Sequence, residues 1–192
     1  MTGEYFSLVE SLQKREKKIF IDLKFFDVPE TVRSAVRQLQ DKHATFITVH
    51  GNDNILKAAA EEKGHLKILA VTALTSLGQG DIEDLGFKCD IKQLVLSRTK
   101  RAIAVGCDGV ISSGLEAPVL RQELGDCFLI VSPGIRPVAN VDDQKRVVSV
   151  EQAFLNGADY IVVGRPIKLA KDPVVEAEKI QSQIAALFKE NK

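Results

Sequence analysis

Three charged residues stand close together within KIFIDLKFFDVPET, the stretch that fills positions 18–31. Ile19, Phe20 and Ile21 open an apolar run suited to a buried strand, and Asp22 and Lys24 interrupt it two residues apart. Side chains at i and i+2 share a strand face, so a carboxylate and an ammonium would stand side by side. A strand covered on both faces has no place for either charge unless it is paired or employed. Asp27 follows where the strand gives way to a loop, and Pro29 sits where a helix can begin. This Asp-x-Lys-x-x-Asp cluster is either a reactive site or a structural ion pair, and spacing alone leaves both readings open.

A second group lies in SPGIRPVANVDDQKR, residues 132–146. Gly134 lets backbone N–H groups approach a ligand closely, while Arg136, Gln144 and Lys145 supply donors. Further on, a strand ends in Gly164-Arg165-Pro166-Ile167. A guanidinium there offers a fork of N–H donors that suits a phosphate, and Gln144 would close over the ligand from a loop. The alternative is a solvated charged loop with Arg165 in a surface ion pair.

The elements that must carry these groups are legible from periodicity. The 192 residues are 45% hydrophobic and 27% charged, ordinary for one globular domain. Lys+Arg 26 balances Asp+Glu 26, which gives no support to a nucleic-acid or membrane-surface footprint. No apolar run approaches the ~18 residues of a membrane span, and the first residues are too charged for a signal peptide. Cys89, Cys107 and Cys127 have no C-x-x-C spacing and read as reduced, buried fillers in a cytoplasmic protein. The three histidines form no metal-ligand pattern.

Helical spacing at 3–16 places Tyr5, Leu8, Val9 and Leu12 on one face. Strands are expected at 18–24, 46–50, 66–74, 109–111, 128–131 and 160–163. Helices are expected at 29–41, 53–63, 90–105, 115–124, 150–156 and 172–189. In the last, Val174, Val175, Ala177, Ile180, Ile184 and Leu187 face inward. Strands alternating with helices imply a parallel sheet under helical cover, with polar loops at the strands' C-terminal ends, where α/β folds put their sites. An open doubly wound sheet and a (β/α)₈ barrel both fit. A barrel has eight strands and about 200 or more residues, and only six strands are visible.

Three motifs in a fixed order then narrow the choice: DLKFFDVPET at 22–31, SPGIRP with DDQKR at 132–146, and DYIVVGRPI at 159–167. Together they resemble the orotidine 5′-monophosphate decarboxylases, from about Gly3 to the C-terminal helix. The DxKxxD motif alone is shared with sugar-phosphate decarboxylases and synthases of the same suprafamily, whereas the DQKR loop and GRPI ending are more specific. The resemblance implies a TIM (β/α)₈ barrel, here one partial domain over 1–192, working as a homodimer without metal or organic cofactor. It implies that Asp22 and Lys24 are the catalytic carboxylate and ammonium, and that Asp27, with Thr31, acts across the dimer interface. Thr75 matches a substrate-contact threonine, Ser113 a serine facing the pyrimidine, and Arg136, Gln144, Gly164 and Arg165 the substrate and phosphate binders. His50 matches a histidine near the site and is expected to be structural.

The family's first two strands would precede Met1; they carry a ribose-binding aspartate and a lysine of the charged network that this chain does not show. Glu30 stands where the family has asparagine. The resemblance therefore implies an N-terminally truncated barrel of about six βα units; folding alone, such a chain is expected to be an opened or partly collapsed barrel with little decarboxylase activity. Two alternatives remain: a sugar-phosphate decarboxylase, against which GRPI and DQKR argue, and an inactive remnant that binds a nucleotide phosphate.

Overall fold

The structure is a computed structural model that describes residues 4–136 and 146–189. Six strands occur among these residues: β1 (Phe20–Phe25), β2 (Phe46–His50), β3 (Lys67–Val71), β4 (Gly109–Ile111), β5 (Leu129–Ser132) and β6 (Tyr160–Ile161). The helices up to β4 are α1 (Tyr5–Lys14), α2 (Pro29–Gln40), α3 (Asp53–Glu62), α4 (Gln79–Asp84) and α5 (Ile91–Ala104). After it come α6 (Ala117–Leu124), α7 (Val150–Leu155), α8 (Arg165–Lys168) and α9 (Pro173–Lys189). Strand order follows chain order, β1-β2-β3-β4-β5-β6, and β1 with β2, β2 with β3 and β5 with β6 pair in parallel. A parallel pair requires a crossover connection, and helices occupy every interval between consecutive strands. This is the expected βα repeat.

The chain packs as two compact units. The first takes its described residues from Met1–Thr72 and Arg98–Val110. Its core is the β-branched face of β1–β3, where Ile21, Ile47, Val49 and Ile68 are fully buried, against Val32 and Val36 of α2 and Ala59 of α3. The first four residues of β2, Phe-Ile-Thr-Val, are all buried, as a strand covered on both faces requires. Pro29 opens α2 at a first-turn position where its missing N–H costs nothing. Asn52 caps α3 by accepting from the Ile55 N–H at 3.3 Å. Gly51, at φ +127, turns the chain into that cap, and a Cβ there would stand 2.8 Å from Ile55 Cδ1. Truncating Ile47 to alanine is expected to cost about 2–5 kcal/mol, read as a lower urea midpoint at unchanged slope.

The second unit takes its described residues from Ala73–Ser97 and Ile111–Lys192. Ile130 of β5, Leu120 of α6, Ala153 of α7 and Ile82 of α4 are buried in it. Arg121 ties it together, donating to the carbonyls of Gly157 (3.0 Å) and Phe128 (2.8 Å) and to Asp159 (2.6 Å). Asp159 in turn accepts from the Ile130 N–H at 2.7 Å.

Several expectations need correction. Helix α4 and the one-turn α8 fall in stretches read as loop or strand end. The Asp81 carboxylate accepts from the Gly78 N–H at 2.6 Å and starts α4, a local bond that overrides the glycine-rich composition. On α9 only Ile180 is buried, while Val174 and Val175 are 66% and 58% exposed. That helix packs against α7 and α8, and its N-terminal valines lie beyond their cover. Leu8 of α1 is likewise exposed. Of the three free cysteines only Cys107 is buried; Cys89 is half-buried and Cys127 exposed. Burial above all pushes the Cys107 thiol up to about 12.

Candidate active site

The C-terminal end of β1 departs from regular strand geometry where the charges stand. Phe20 pairs with Phe46 and Ile21 with Ile47, and the next matched pair is Phe25 with Val49. Asp22, Leu23 and Lys24 thus face Thr48 alone, and the strand bulges. Lys24 takes φ +48, a left-handed conformation that non-glycine residues rarely adopt. The Lys24 Nζ donates to Asp22 Oδ2 at 2.7 Å. The bulge is pinned from β2: Thr48 Oγ1 donates to Asp22 Oδ1 at 2.8 Å and accepts from the Lys24 N–H at 2.9 Å. The expected pairing of Asp22 with Lys24 is present, but a bulge produces it and not simple alternation along a pleat. Sequence reasoning passed over Thr48, although it is the one polar side chain in the buried run Phe46–Val49.

Magnitudes bear on what the ion pair contributes to stability. The two side chains are 38% and 39% exposed, and a pair this open stabilises by about 0–1 kcal/mol. Holding Lys24 at positive φ costs on the order of 1–3 kcal/mol. The ion pair alone does not offset that strain, and strain of this kind concentrates at functional sites.

Lys24 also lines a cavity of about 530 Å³, together with Asp27, Thr31 and the apolar Leu23, Phe25, Phe26, Val32 and Ala35. Asp27 is exposed and accepts from the Val28 N–H at 2.6 Å. The flanking Phe26 and Val28 are 67% and 63% exposed. Tyr5 lies near the same charges: burial first, then the Asp22 carboxylate, pushes its phenol up.

His50 ends β2 half-buried, edge-on to the Phe26 ring at 5.0 Å, with its Nδ1 buried and without a hydrogen-bond partner. Burial, and secondarily the Arg98 guanidinium, holds its pKa below the ordinary 6.5. The unfolded chain therefore binds this proton more readily than the folded one. Stability due to His50 is complete above about pH 6.5 and is lost as pH falls toward the lowered value. Urea midpoints measured between about pH 7 and 5 are expected to fall less steeply for His50→Gln than for wild type.

In the second unit, Thr75 is buried within the Leu74–Leu77 turn. Ser113 is fully buried, and its hydroxyl is engaged: it donates to the Arg146 carbonyl at 3.3 Å and accepts from the Leu115 N–H at 3.2 Å. Arg136 is buried, its Nη1 donating to the Ile135 carbonyl at 2.8 Å. Gly134, at φ +76, turns the backbone so that its carbonyl accepts from the Val148 N–H while Arg136 N–H donates to the Val148 carbonyl. Gln144 lies outside the described residues. Arg165 is half-buried at the start of α8. Gly164 before it has nothing within 4 Å of where a Cβ would stand, so no protein atom demands a glycine there.

Sequence reasoning also missed a buried pair in this unit. Arg146 Nη1 donates to Glu116 Oε1 at 2.6 Å, with the side chains 8% and 4% exposed. The partners are thirty residues apart, and no local pattern links them. Among the described residues no group of His, Cys, Asp and Glu is arranged to hold a metal ion, and no helix is long and apolar enough to cross a membrane.

Comparison with known proteins places this geometry in a family. The chain is 62% identical over 190 residues to orotidine 5′-phosphate decarboxylase of Methylococcus capsulatus, covering 98% of this chain and 78% of that protein. It is 48% identical over 193 residues to the enzyme of that name from Xanthomonas axonopodis pv. citri, covering 99% and 79%. The crystal structure of orotidine 5′-phosphate decarboxylase from Lactobacillus acidophilus superposes with a TM-score of 0.80 at 36% identity, over 92% of this chain and 80% of that one. This likeness assigns the βα repeat to the TIM-barrel family. The family model described as "Orotidine 5'-phosphate decarboxylase / HUMPS family" matches residues 2–180. With the charged β1 bulge and the GRPI turn inside that match, the chain belongs to the orotidine 5′-phosphate decarboxylase / HUMPS family.

Proposed function

We propose that this protein is a lyase that converts orotidine 5′-monophosphate to UMP, the last step of UMP synthesis in the de novo pyrimidine pathway. The observation that carries the reading is the Asp22–Lys24 pair on a strained bulge, in a chain with 62% identity to a named decarboxylase. The bond between pyrimidine C6 and its carboxyl carbon breaks, CO₂ leaves, and the electron pair stays on C6. The Lys24 ammonium stabilises that developing carbanion and then gives C6 its proton, becoming a neutral amine. The Asp22 carboxylate repels the substrate carboxylate before CO₂ departs and holds Lys24 in place afterwards.

In this reading Arg165, Gly164, Arg136 and Gln144 bind the phosphate end, Thr75 and Ser113 contact the base side, and binding energy from the phosphate assists the distant chemistry. The open space around Gly164 suits close approach of a ligand. A homodimer supplies Asp27 and Thr31 to the neighbouring site. The exposed Phe26 and Val28 on either side of Asp27 support such an interface. The protein acts in the cytoplasm as one catalytic domain on a small nucleotide, without nucleic-acid or membrane partners.

The test follows absorbance as orotidine 5′-monophosphate becomes UMP, with UMP binding measured on the same sample. Turnover together with UMP binding supports the reading. Binding without turnover, or neither, contradicts it.

A further inference from the structure

Arg146 has no part in the chemistry above, yet its surroundings are unusual for a structural residue. Its Nη1 donates to Glu116 at 2.6 Å, and its Nη2 donates to the carbonyls of Ala73 (3.1 Å) and Leu74 (2.8 Å). The Arg146 carbonyl accepts the Ser113 hydroxyl at 3.3 Å. Its guanidinium thereby holds the backbone immediately before Thr75 and, through Glu116, the start of α6, while its main-chain carbonyl takes the hydroxyl of Ser113. Its Nε is buried with no hydrogen-bond partner.

A buried guanidinium–carboxylate pair is a poor route to stability, because desolvation of both charges offsets their attraction, and well-packed apolar residues serve as well or better. An unsatisfied buried donor adds a further cost. What a guanidinium supplies and an apolar side chain cannot is a planar fork that fixes several acceptors at set angles. Here those acceptors belong to the segments that carry Thr75 and adjoin Ser113.

We propose that Arg146, oriented by Glu116, is a positioning residue: its guanidinium sets the loop carrying Thr75 in the arrangement that binds nucleotide, without itself touching substrate. This rests on the nucleotide reading above. A lysine keeps the charge but reaches fewer acceptors from one point, so Arg146→Lys isolates the fork. Glu116→Gln keeps the shape and removes the partner charge.

The experiment is a double-mutant cycle on UMP affinity and on steady-state kinetics, with wild type, Arg146→Lys, Thr75→Ala and the double variant. Arg146→Lys is expected to weaken UMP binding about tenfold or more and raise KM in step, with kcat changed less than about threefold. The double variant is expected to bind UMP no worse than Thr75→Ala alone, because both changes remove one contact. Arg121→Lys, at the hub away from these loops, is expected to lower the melting temperature without changing UMP affinity. If Arg146→Lys does not fold, the cycle runs with Glu116→Gln. Unchanged UMP affinity in a folded Arg146→Lys, or losses that multiply in the double variant, overturns the inference while wild-type binding leaves the nucleotide reading standing. A wild-type chain that binds no UMP overturns that reading and this inference together.

Discussion

Lys24→Ala is expected to lower turnover of orotidine 5′-monophosphate by at least about 10⁴-fold, with a much smaller change in UMP affinity. Loss of a positioned proton donor costs about 10²–10⁴-fold, and loss of a preorganised charge facing the developing carbanion about 10²–10³-fold more. The two overlap in one residue and are not fully additive, hence the lower bound. UMP carries no carbanion at C6, so binding the product reports little of this interaction. A stability measurement separates chemistry from scaffold. The φ of +48 strains alanine as it strains lysine, whereas glycine adopts it freely. Lys24→Gly is therefore expected to be more stable than Lys24→Ala by about 1 kcal/mol and equally inactive. A more stable, inactive glycine variant identifies the strain as a cost of holding the ammonium in place. If Lys24→Ala retains turnover within tenfold of wild type, Lys24 is not the proton donor.

The second large effect is expected at Arg165. A guanidinium on a phosphate makes charge-assisted bonds in pairs, each worth about 1.5–3 kcal/mol. Removing the pair should lower kcat/KM for orotidine 5′-monophosphate by roughly 10²–10⁴-fold. The loss should vanish when the substrate is the nucleoside orotidine, which has no phosphate to grip. That contrast matters more than the size of the loss, because a folding defect lowers turnover of both substrates alike. Arg165→Lys should recover part of the loss, since an ammonium keeps the charge but not the fork. Equal losses on nucleotide and nucleoside would remove Arg165 from the phosphate site.

The elements were legible where local chemistry and tertiary packing agree. Phe46–His50 is a β-branched run with one possible use, and it forms β2 with those bounds. Pro29 marks the start of α2, and Val32, Val36 and Leu39 all turn inward. The site was legible in its residue types and less so in its geometry. Asp22 and Lys24 were expected to meet through regular alternation, but the contact depends on a bulge fixed by Thr48, a residue 26 positions beyond Asp22. Backbone strain of this sort leaves no mark on composition or period. The Glu116–Arg146 pair was hidden for a related reason, since only the fold brings together residues so far apart. Val174 and Val175 show the opposite failure: their spacing is that of a buried face, but burial depends on what lies opposite.

The most direct test of the account is a crystal structure of the protein with UMP bound. The expected result shows Lys24 Nζ still paired with Asp22 and directed at pyrimidine C6, with the Arg165 guanidinium on the phosphate of the same nucleotide. Lys24 turned to bulk water with the pyrimidine elsewhere, or a phosphate held by residues other than Arg165, would contradict it.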